Sequence, residues 1–92
     1  MYTIYRKQSF IDDLKIVKDE KSKDNIKKKI IQIAETLEFS PNHYKNLRKP
    51  LQKYKRVHVN DSFVMVFRVN VSEKTVTFYH YKHHDVIYNE IL

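Results

Sequence analysis

The chain has 92 residues, with 18 Lys or Arg against 11 Asp or Glu and a formal net charge of +7. That length suits a single domain, residues 1–92, with a modest core. The absence of cysteine excludes disulfides and thiolate metal sites, and the absence of glycine excludes the phosphate loops of P-loop and dinucleotide-binding enzymes. Seven Tyr and five Phe beside an ordinary hydrophobic share argue against disorder. Met1 to Arg6 has no apolar signal region and no apolar run approaches bilayer length, so a cytoplasmic protein is expected.

Tyr2 to Arg6 alternates aromatic or β-branched residues and reads as a short strand. Ser9 then opens a helix, with Asp12 three residues on in a capping-box relation. Phe10, Leu14 and Val17 form its apolar stripe, and Asp13, Lys15 and Lys18 face water. Asp19 to Lys23 reads as a charged turn. A second helix starts near Asp24, carries the stripe Ile26, Ile30, Ile33, Ala34 and Leu37, and stops at Ser40-Pro41. Lys27, Lys28 and Lys29 lie largely off that stripe, where charge is more often plain solvation than a contact to a backbone phosphate.

From Tyr54 the period changes to two. Tyr54, Arg56 and His58 share one face of a strand, with Val57 and Val59 on the other. Phe63 to Val69 is a nearly continuous apolar strand, as at a sheet's centre, and Thr75 to Tyr81 is the last strand. The expected fold is α+β in the order β-α-α-β-β-β, an antiparallel sheet packed against a helical hairpin.

The positive charge is concentrated. Residues 39–60 hold Lys45, Arg48, Lys49, Lys53, Lys55 and Arg56 with no acid, and His43, Tyr44, Tyr54 and His58 are interleaved there. Cations mixed with stacking side chains are the footprint of a nucleic acid, whereas a loop serving only solubility needs no Tyr or His. His58 stands beside Arg56, and His84 follows the last strand, so both can reach one edge of the sheet. Two imidazoles among cations suit RNA cleavage. One takes the 2′-hydroxyl proton, the other protonates the leaving 5′-oxygen, and Arg56 and Lys49 stabilise the charge that develops. Phe63 and Tyr88 are candidates to stack a splayed base. This chemistry requires no metal or cofactor. His83-His84-Asp85 has metal-ligand residue types, but adjacent residues in extended chain point opposite ways and chelate poorly unless the turn is special.

Taken in order, Lys49-Pro50-Leu51-Gln52, the strand with Arg56 and His58, Ser62-Phe63-Val64, and His83-His84-Asp85 through Tyr88 resemble the second half of a RelE/ParE-superfamily toxin. His58, Phe63, and His84 four residues before Tyr88 resemble the YafQ-type pattern. The "HHD…Y" ending is similar to that of archaeal members. The resemblance implies a ribosome-dependent mRNA endoribonuclease of a type II toxin–antitoxin system, leaving a 2′,3′-cyclic phosphate. Its catalytic residues would be His84, His58, Arg56 and Tyr88, and its RNA-binding residues Lys45, Arg48, Lys49, Lys53, Lys55 and Phe63. Its partners would be a RelB-like antitoxin, acidic where it binds, and the ribosome with its message. It would be a monomer alone and a heterotetramer with antitoxin. A ParE-like gyrase inhibitor or an inactive RNA-binding relative is the alternative.

Overall fold

The computed structural model describes residues 1–87; Tyr88 lies outside them. The elements are β1 (Thr3–Arg6), α1 (Gln8–Leu14), α2 (Glu20–Phe39), β2 (Lys55–Val59), β3 (Phe63–Asn70) and β4 (Thr75–His83). The sheet order is β1-β4-β3-β2. β2, β3 and β4 form the expected antiparallel meander, while β1 joins β4 in parallel, so the sheet is mixed rather than wholly antiparallel.

The parallel pairing follows from how the chain treats the outer edge of β4. β1 covers Thr75 to Phe78 only. Beyond it the Lys7 amide donates to the Phe78 carbonyl, the Ser9 hydroxyl donates to the Tyr79 carbonyl at 2.6 Å, and the Tyr81 amide donates to Asp13 Oδ2 at 2.9 Å. α1 therefore closes an edge that would otherwise expose unpaired backbone groups. This corrects two expectations. Ser9 does not cap the helix, because its hydroxyl serves β4 and the N-cap is Lys7, while Asp12 accepts from the Gln8 side-chain amide. Asp13 does not face water, because β4 needs its carboxylate, and its side chain is 11% exposed.

α2 begins earlier than its apolar stripe suggests. Asp19 is the N-cap and accepts from the Ser22 amide at 2.9 Å, so the expected charged turn is the helix's first turn. That hydrogen bond also holds the Asp19 carboxyl below the usual carboxylate range. Ile26, Ile30, Ile33, Ala34 and Leu37 are all buried against the sheet.

Both faces of the sheet are covered, which is why β3 is buried from Val64 to Phe67. Met65 and Phe67 join Phe10, Phe78 and the α2 stripe on the helix face. Val64 and Val66 join Leu47, Leu51 and Ile87 in a smaller core on the opposite face. Residues 45–47 are held along β2 by hydrogen bonds from the Leu47 amide to the Tyr54 carbonyl and from the Arg56 amide to the Lys45 carbonyl. The basic segment is thus anchored on the sheet through Leu47 and Leu51, with Lys45, Arg48, Lys49 and Lys53 exposed on its outer side.

Without glycine, the β2–β3 turn places Asn60 and Asp61 at φ of 59° and 61°, where Asn and Asp are among the best tolerated residues. Asn60 also ties the turn to the start of α2. It accepts from Asn25 Nδ2 at 2.9 Å, and its own Nδ2 is placed to donate to the Ser22 carbonyl at 3.2 Å and the Tyr81 hydroxyl at 3.0 Å. Burial raises the Tyr81 phenol above its ordinary pKa, and the Asn60 contact opposes that shift.

Candidate active site

In β2, Val57 and Val59 pack into the helix-face core, so alternation turns Arg56 and His58 to the opposite face. His58 pairs in register with Val64, whose side chain belongs to the smaller core beneath it. Past β4, the His84 amide donates to the Ser62 carbonyl at 2.8 Å, which fixes the turn and brings His84 back over the same face. The His58 and His84 rings lie 6.3 Å apart between centroids, tilted by 54°. They share a cleft of about 530 Å³ with Arg48, Arg56, Asn46 and Asp85, above Val64 and Ile87.

The cleft has a defined polarity. His84 Nδ1 lies 3.1 Å from Asp85 Oδ1, which leaves Nε2 as the ring nitrogen open to a substrate. A carboxylate beside one imidazole nitrogen orients the ring and leaves the other nitrogen facing the cleft. Two guanidinium groups on the same cleft provide fixed positive charge where a phosphodiester would sit.

The remaining expected site residues divide by position. Arg48 reaches the cleft, and Lys45, Lys49 and Lys53 are exposed on the basic segment. Lys55 is committed to the fold, because its ammonium donates to the Tyr44 carbonyl and to Asn46 Oδ1. Tyr44 packs edge-on against Phe67, and Tyr54 packs edge-on against Tyr79 with the Arg68 guanidinium 5.8 Å from its ring. These two tyrosines therefore contribute to packing.

Phe63 is not brought to the histidine pair. It stacks on Tyr81 with centroids 5.1 Å apart and planes 12° apart, and it lines a second cleft of about 800 Å³ beside the start of α2. Tyr88, the other stacking candidate, lies outside the described residues.

Sequence reasoning did not pick out Asp85 as the partner of His84. The signal was its place in His83-His84-Asp85, weighed there only as a metal motif. The expectation that the two histidines diverge also changes. Residues 84–86 form a turn, and the His83 and His84 rings stack with centroids 4.7 Å apart and planes 23° apart. Asn46 had no sequence signal, because its position depends on the loop folding back onto β2.

No family model matches the chain. A Methanocaldococcus jannaschii protein named "Putative toxin RelE4" is 49% identical over 63 residues, which are 68% of this chain and 67% of that protein. YafQ from E. coli strain BL21(DE3) superposes with a TM-score of 0.74 at 14% identity, covering 96% of this chain and 99% of that one. The toxin of the intact E. coli RelBE toxin-antitoxin complex gives a TM-score of 0.70 at 14% identity, covering 90% and 96%. The M. jannaschii relative and the fold shared with these structures show that the chain belongs to the RelE family of toxins of toxin–antitoxin systems.

Proposed function

We propose that the protein is a metal-independent endoribonuclease that cleaves messenger RNA on the ribosome. The observation that carries this reading is the pair His58 and His84, 6.3 Å apart in one cleft with Arg48 and Arg56. His58 takes the proton from a ribose 2′-hydroxyl, and the resulting oxygen attacks the adjacent phosphorus. Arg56 stabilises the phosphorane-like charge, and His84 delivers a proton from Nε2 to the departing 5′-oxygen. The products are a 2′,3′-cyclic phosphate and a free 5′-hydroxyl. Asp85 supports the acid role of His84 by holding the ring through Nδ1, so that Nε2 is turned to the cleft. The open, shallow site is consistent with a ribosome that holds the message in the reactive geometry.

The partner is a RelB-like antitoxin acting in the cytoplasm, and its acidic segment would cover the basic face between Lys45 and Arg56. Support comes from the family and from the antitoxin-bound state of the RelBE relative. Among the described residues, no helix is long and apolar enough to cross a membrane. Incubating the protein with ribosomes carrying a defined message tests the reading. Fragments ending in 2′,3′-cyclic phosphate are expected from the wild type, and none from His58→Ala or His84→Ala. Message left intact by the folded wild type would overturn the nuclease assignment and favour the ParE-like one.

A further inference from the structure

The turn that carries His84 has a second chemical capacity. His83, His84 and Asp85 each offer one donor atom, and the three atoms lie within 4.8 Å of one another. Both imidazole Nδ1 atoms converge on the Asp85 carboxylate, at 3.6 Å for His83 and 3.1 Å for His84. Ligands bound at about 2.0–2.2 Å around one ion are themselves roughly 3 Å apart, so the two imidazole–carboxylate pairs are already near chelating separation and the widest pair has to close from within 4.8 Å. The His83 Nδ1 accepts a hydrogen bond from the Asp85 amide at 3.1 Å, so its lone pair is turned toward the Asp85 side of the turn. Binding exchanges that one exposed hydrogen bond for a metal bond. The neighbouring Lys82 ammonium is committed to Asp13 at 2.9 Å.

We infer that His83, His84 and Asp85 form a binding site for a divalent transition-metal ion such as Zn²⁺ or Cu²⁺, and that an ion bound there inhibits the enzyme. Two imidazoles and one carboxylate suit these ions, with water completing the coordination. The inhibitory half rests on the proton-transfer role proposed for His84. A histidine with a metal on one ring nitrogen keeps a fixed N–H on the other, so it no longer exchanges a proton with the substrate.

The test is calorimetric titration of the metal-stripped full chain with Zn²⁺, supported by the visible spectrum after Cu²⁺ addition. Wild type is expected to bind one ion per chain with a nitrogen-ligated copper band. His83→Asn and Asp85→Asn should each weaken binding by at least about tenfold, the loss expected when support for a metal ligand is removed. His83 lies outside the cleft, so His83→Asn should cleave normally without metal and resist inhibition by Zn²⁺. Failure of wild type to bind, or binding unchanged in both variants, overturns the site. Binding that behaves as expected while Zn²⁺ leaves cleavage untouched overturns the inhibitory half alone. If the metal-free wild type cleaves nothing, the nuclease reading fails, and calorimetry still decides the site.

Discussion

The two faces of the sheet are built differently. On the helix face, Phe10, Ile33, Leu37, Met65, Phe67 and Phe78 are fully buried in a continuous core. On the other face, Leu47, Leu51, Val64, Val66 and Ile87 make a thinner layer topped by histidines, arginines and Asp85. The first face carries the stability of the domain. The second carries the proposed active site, on a floor formed by the smaller core beneath the basic segment. Substitutions on the two faces should therefore fail in different ways.

The largest effect is expected from Leu37→Asp on the helix face. An unpaired buried carboxylate costs several kcal/mol, a large part of the stability of a domain this size. The variant should show no cooperative thermal melt by circular dichroism. A folded variant would mean that α2 does not carry the core.

Leu51→Ala on the other face should do less to the fold and more to the site. Truncating a buried leucine costs about 2–5 kcal/mol, and the low end applies at the margin of a small core. The domain should stay folded, while amide hydrogens of residues 45–54 exchange faster and cleavage falls. Unchanged exchange in that segment would show that the smaller core does not anchor it.

The smallest effect concerns acid. Hydrogen bonds from Ser22 to Asp19, from Gln8 to Asp12 and from Lys74 to Glu38 hold these carboxyls below their ordinary values. Folded values below the unfolded ones mean that the stabilisation is complete above the ordinary carboxylate range. It is lost as pH falls through the lowered folded values. Asp12 and Asp19 are solvent-exposed and Glu38 is half-buried, so the melting temperature should decline gently on that side, and Asp19→Ala should flatten the decline. An identical acid profile in Asp19→Ala would remove the helix cap from the explanation.

The legible parts of the fold were those with strong local periodicity. The α2 stripe from Ile26 to Leu37 and the apolar run of β3 could be read directly, because one face or both must be dry. The start of α2 was hidden because its first turn, Glu20 to Lys23, is polar throughout, and only the Asp19–Ser22 spacing marks it. The roles of Ser9 and Asp13 were hidden because both answer an edge of β4 some 70 residues away in sequence. The same distance concealed the parallel partner of β1. In the candidate site, the convergence of His58, His84 and Arg56 on one cleft was legible from residue type and order. The position of Phe63 depended on register. His58 pairs with Val64, so the residue before Val64 alternates to the helix face. Asp85 required the turn, which an extended reading of three adjacent residues does not contain.

The central claim is that His58 and His84 act together as base and acid on one phosphodiester. Single-turnover cleavage of ribosome-bound message by wild type, His58→Ala and His84→Ala, with melting temperatures measured alongside, tests it most directly. Each variant should lose about 10²–10⁴-fold in rate while melting close to wild type. Two folded variants that both cleave within a few-fold of wild type would contradict the account.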